Sequence, residues 1–110
     1  MMNPAIRDDL EIIQKTVSET DKVLQLAEEA AELSAAASKY ARILKGTNPT
    51  PMPGMTAEDH LFEEIADVLV CLIMLNYAYP DTYKTQEGVV DYLILKTRRW
   101  ALRIKDMKGK

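Results

Sequence analysis

Between Ile65 and Leu75 every residue except Asp67 is apolar. No segment of the chain alternates as a half-buried strand does, so this run reads as a helix that needs cover nearly all round. Asp67 is the difficulty. At 3.6 residues per turn it points roughly 60° from Glu64 on the same face, with Val70 and Met74 to one side and Val68 and Cys71 to the other. A carboxylate there is expected to find no polar face leading to solvent. Uncompensated, it would be strongly destabilising or protonated, and Glu64 adds a like charge beside it.

Three further helices are expected around this one. Ile6, Leu10, Ile13 and Val17 form a single stripe and mark a first helix from about Ala5 to Val17. Ser18-Glu19-Thr20-Asp21 offers cap residues for a second, from about Thr20 to Lys45, which Gly46 ends. Its alanine-rich middle favours helix and permits close approach by a neighbour. Prolines and glycines gather in residues 46–55, a loop that joins two helical halves rather than two domains. Thr56-Ala57-Glu58-Asp59 resembles a capping box at the start of the third helix, which should end before Pro80. Val90, Leu93, Ile94, Ala101, Leu102 and Ile104 are the apolar positions of a fourth, from about Gln86 to Met107. The expected architecture is all-α, a single domain over residues 1–110 with four helices in a bundle-like arrangement, whose third helix one short chain would not cover fully.

The second helix repeats the pattern of the third. Glu29 and Glu32 share a face as Glu64 and Asp67 do, with Glu28 one position off it. If the two helices pack side by side, four carboxylates converge. Only a cation relieves such a cluster, and oxygen donors alone suit Mg²⁺ or Mn²⁺. Two other readings stand beside this one: glutamates on solvated helix faces, and a buried ion network with Lys or Arg from the fourth helix. With one histidine and one cysteine, a zinc site is effectively excluded.

The net charge of −3 gives no general attraction to nucleic acid or to a membrane. The longest apolar stretch is about half of what a bilayer crossing needs, and the polar N-terminus has no signal-like apolar core. A cytoplasmic protein is expected, and one this small would gain from self-association.

Glu28-Glu29-x-x-Glu32 followed by Glu64-x-x-Asp67 resembles the E-E-x-x-E … E-x-x-D signature of the all-α, MazG-like nucleoside triphosphate pyrophosphohydrolases. The flanking words Gln25-Leu26-Ala27 and Val68-Leu69-Val70, the Asn48-Pro49-Thr50-Pro51 loop and the Arg99-Trp100-x-x-Arg103 end are similar to that family too, over about residues 20 to 105. The gap of 31 residues between the half-signatures is slightly longer than the family's, because the proline-rich loop is extended. The resemblance implies Mg²⁺-dependent cleavage of a nucleotide between its α- and β-phosphates, in a dimer or a dimer of dimers. It implies Glu29, Glu32, Glu64 and Asp67 as metal ligands, with Glu28 in a supporting role. Glu28 or Glu64 would take the proton of the attacking water.

Other side chains have two readings each. Lys96, Arg99 and Arg103 form a basic stripe that would contact phosphates, across a subunit interface or within the chain, or would simply suit a helix C-terminus. Lys39 lies along the same side of its helix as Glu29 and is a further phosphate candidate. Gln25 and Asn48 could read a base edge, though Asn48 also fits a turn before Pro49. Trp100, Tyr40 and Phe62 could stack on a base but suit a bundle core better, and His60 is expected to be exposed. A phosphoribosyl-ATP pyrophosphohydrolase and a non-catalytic, metal-stabilised binding module are the competing functions.

Overall fold

Ser18 sets the start of the longest helix. Its backbone is extended, and its hydroxyl accepts a hydrogen bond from the Asp21 amide at 3.1 Å. In the computed structural model, which describes residues 4–47, 54–78 and 86–109, four helices follow in order. They are α1 (Pro4–Thr16), α2 (Glu19–Lys45), α3 (Gly54–Met74) and α4 (Glu87–Lys108). There is no strand among the described residues, and none of these helices is long and apolar enough to cross a membrane.

Gly46 ends α2 in the left-handed region, φ 73°. Its amide reaches the Ile43 carbonyl, and the Thr47 amide reaches that of Arg42. This pairing satisfies carbonyls that a helix end otherwise leaves open. Asn76 does the same for α3 at φ 60°, with its own amide on Ile73 and the Tyr77 amide on Leu72. The third helix therefore stops at Met74, well short of Pro80, because an asparagine tolerates the left-handed turn. At its other end α3 begins at Gly54, so Thr56 lies inside the first turn and is not a cap. Ala57 is buried there, and Glu58 accepts the Tyr40 hydroxyl at 2.8 Å, tying α3 to α2.

α2 and α3 form an antiparallel hairpin, the main packing of the chain, with Ala36, Ala57, Cys71, Met74 and Leu75 at its centre. α1 touches only α3. Gln14 anchors that end: its amide donates to Asn76 at 3.2 Å, while the Lys22 ammonium donates to its side-chain oxygen at 2.7 Å.

The all-α, four-helix class is as expected. Among the described residues α4 packs against none of the other three helices and buries no residue, so the bundle is incomplete within one chain. Among the described residues α3 is covered by α2 and, near its C-terminal end, by α1. Ile65, Leu69 and Val70 remain exposed, and so does Asp67, which reaches solvent along the side that α2 leaves open. Trp100 and Phe62, expected in the core, are exposed for the same reason, whereas Tyr40 is half-buried.

Candidate metal centre

The antiparallel register brings the middle of α2 against the middle of α3. One carboxylate oxygen from each of Glu29, Glu32, Glu64 and Asp67 lies within 4.8 Å of all the others. Glu64 is the deepest at 9% exposure, Glu29 is half-buried, and Glu32 and Asp67 are open to solvent.

The two inner glutamates each have a neighbour one turn earlier, a hydrogen-bond donor for Glu29 and an imidazole at ion-pair distance for Glu64. Gln25, one turn before Glu29, donates to its Oε1 at 2.7 Å. His60, one turn before Glu64, has Nε2 at 3.4 Å from its Oε1. In both cases Oε2 is buried with no hydrogen-bond partner. A buried carboxylate oxygen without a partner is costly. Among the described residues no Lys or Arg forms an ion pair with any of the four, so the alternative of an ion network with the fourth helix finds no support there. Two orphaned oxygens in an all-oxygen cluster could hold a metal ion.

Electrostatics point the same way. Burial, then the hydrogen bond and charge of Glu32, then the charge of Asp67 hold Glu29 above the usual carboxylate range, against the opposing pull of the Gln25 amide. The Cys71 thiol is pushed up by burial and by Glu29 and Asp67, which leaves it protonated and unreactive behind the cluster. The sign for stability follows. Since the folded Glu29 carboxyl titrates above its ordinary 4.5, its contribution is full below that value and is lost as pH rises through the raised one. In a chelating buffer the protein should thus melt higher in mild acid than near neutrality, and Glu29→Gln should flatten that dependence. A melting profile equally steep in the variant would remove Glu29 as the source.

The other candidates are distributed unevenly. Lys39 is half-buried and lines a groove of about 460 Å³ with Glu32, Ala35, Ala36, His60 and Glu64. Gln25 sits on the opposite side, at the edge of a smaller, mainly apolar groove between α1, α2 and α3 that Cys71 and Met74 floor. Its amide donates to Glu29 and so orients that carboxylate. Glu28 is exposed and outside the four-oxygen cluster. Lys96, Arg99 and Arg103 line a shallow groove with Trp100 along α4 itself, not with the carboxylates. Asn48 lies outside the described residues. His60 was expected only to be exposed, and its side chain is half so, yet it holds Glu64. The signal for that contact was its i,i+4 spacing.

No protein-family model matches the chain, and neither a curated protein nor a solved structure matches it. The geometry and the signature therefore carry the functional argument alone.

Proposed function

We propose that this chain is a Mg²⁺-dependent nucleoside triphosphate pyrophosphohydrolase, releasing a monophosphate and pyrophosphate, with Mn²⁺ as a possible substitute. The observation that carries the reading is the convergence of Glu29, Glu32, Glu64 and Asp67 with two buried oxygens unbonded. The E-E-x-x-E … E-x-x-D pattern adds the reaction class.

A divalent cation held there supplies charge neutralisation and activation of water, the two needs of phosphoryl transfer. The chain's own residues do the rest. Gln25 orients Glu29 before substrate arrives, and His60 stands beside Glu64, which limits the reorganisation left for the reaction. Lys39 presents an ammonium to the groove beside Glu32, where a phosphate tail would lie. The proton of the attacking water goes to a carboxylate: Glu64, buried and facing the site, or Glu28 at its exposed margin.

The working form is an oligomer, either a dimer or a dimer of dimers. The chain exposes 8786 Å² where a compact protein of 12.4 kDa exposes about 6100 Å². Its radius of gyration of 17.5 Å compares with about 13 Å for a compact chain of this length. That surplus is of the order buried in permanent interfaces. Light scattering at micromolar concentration should thus give a mass of at least two chains, and a stable 12.4 kDa monomer would contradict the assembly.

Pyrophosphate release from a panel of NTPs and dNTPs, with phosphoribosyl-ATP included, tests the function. Turnover of phosphoribosyl-ATP alone would place the chain in histidine synthesis. Silence across the panel, with divalent cations still bound, would leave a metal-stabilised binding module.

A further inference from the structure

We infer that Gln25 and His60 are positioning residues that make the two inner glutamates one-oxygen ligands, so that the centre favours a small octahedral ion over Ca²⁺. This rests on the cation half of the reading above and not on the triphosphate half.

The two residues hold equivalent places. Gln25 lies one turn before Glu29 on α2, and Glu32 follows one turn after it. His60 lies one turn before Glu64 on α3, and Asp67 follows one turn after it. On each helix, the neighbour of Oε1 and the other acid of the cluster therefore lie on opposite sides of the inner glutamate along the axis. Gln25 donates to Glu29 Oε1 at 2.7 Å, and His60 Nε2 stands 3.4 Å from Glu64 Oε1. The second oxygen of each is buried with no partner, and Glu64 as a whole is only 9% exposed. Each inner carboxylate thus has one oxygen drawn back along its own helix and one left for an ion. His60 itself is outside the set of four groups that converge within 4.8 Å, so it acts through Glu64.

Coordination number decides what this does. Ca²⁺ takes about six to eight oxygens at roughly 2.3–2.6 Å and often gains the extra ones by gripping a carboxylate with both oxygens. Mg²⁺ is satisfied by an octahedron at about 2.0–2.1 Å that includes several waters, and Mn²⁺ suits the same kind of donor set. One oxygen from each of the four carboxylates, completed by water, meets that smaller need. To give Ca²⁺ more, Glu29 must turn Oε1 inward and break the Gln25 hydrogen bond, and Glu64 must turn Oε1 away from the imidazole. Glu32 and Asp67 are open to solvent, so the inner pair is where the fold sets the mode of binding.

Metal titrations of the full chain without nucleotide test this. Gln25 and His60 are both exposed, so truncating either leaves the buried centre of the α2/α3 hairpin intact, which circular dichroism would verify. Calorimetric titration with Mn²⁺ and with Ca²⁺ should show the Mn²⁺ to Ca²⁺ affinity ratio falling about tenfold or more in Gln25→Ala and in His60→Ala. Ca²⁺ affinity should hold or rise in both. His60→Gln, which keeps a side-chain donor, should restore most of the ratio. Paramagnetic resonance of Mn²⁺ bound to the wild type should show no ring-nitrogen coupling, because His60 faces Glu64 and not the ion. Equal weakening of both ions in the alanine variants, or an unchanged ratio, would overturn the inference. So would a nitrogen coupling that vanishes in His60→Ala, since the imidazole would then be a ligand. A wild type that binds neither ion would sink the metal centre itself. Mn²⁺ binding with the expected selectivity in a protein that hydrolyses no triphosphate would remove only the hydrolase reading and leave this inference standing.

Discussion

Glu64→Gln should abolish pyrophosphate release even at saturating substrate, with kcat down by about a thousandfold or more. The same change should raise the melting temperature of the metal-free protein. Glu64 is the deepest of four carboxylates within 4.8 Å of one another, and its Oε2 has no partner. An amide of the same shape removes one like charge from that cluster and still offers His60 a hydrogen-bonding group. A residue kept for stability would not behave so. Loss of function joined to a gain in metal-free stability is the mark of a group held in an unfavourable place for its chemistry. Kinetics and chelated melting curves on the one variant decide it: wild-type kcat would sink the carboxylate mechanism, and a large fall in melting temperature would make Glu64 a structural residue.

Magnesium or manganese should stabilise the wild type strongly, and Asp67→Asn should erase that effect. A ligand present at a hundredfold excess over its dissociation constant adds about 2.7 kcal/mol to the native state. For a chain of this length that corresponds to upwards of about 10 °C. Asp67 is exposed, so the asparagine variant should fold with α2 and α3 unchanged, which circular dichroism would verify. Melting curves with and without EDTA for both proteins make the comparison. A variant that keeps the full metal increment would show that Asp67 is not a ligand.

The bounds of α2 were legible in the residues, for local reasons, whereas the motif at Thr56 was no capping box, because α3 starts two residues earlier at Gly54. Ser18 and Gly46 bound α2 to within a residue of expectation, because caps act through their own hydroxyl or their own φ. Gln86 turned out to be the cap of α4, accepting from the Gly88 amide at 3.1 Å, where it was expected to be the first helical residue. The convergence of Glu29, Glu32, Glu64 and Asp67 was also legible, since helical spacing puts each pair on one face and a hairpin sets the faces together. What failed was any statement about cover. Periodicity says that the Ile65–Leu75 side chains are apolar, not which neighbours arrive to bury them, so Asp67 was expected to be enclosed and lies open. Trp100 and Phe62 failed for the same cause. Asn76 was missed because an asparagine in a helical pattern gives no sign that it will turn left-handed.

α4 also raises a question of order in time. With no buried residue it owes its helicity to its own twenty-two positions, the length range at which isolated helices are only just stable in water. Its backbone therefore opens at a far smaller free energy than that of α2 and α3, which hold each other. Whatever covers α4 does more than dock on it, because covering it is what keeps it wound. If that cover is a second copy, as the proposed assembly requires, protein concentration becomes a hidden control variable, and dilution should melt this helix while the hairpin beside it stays folded.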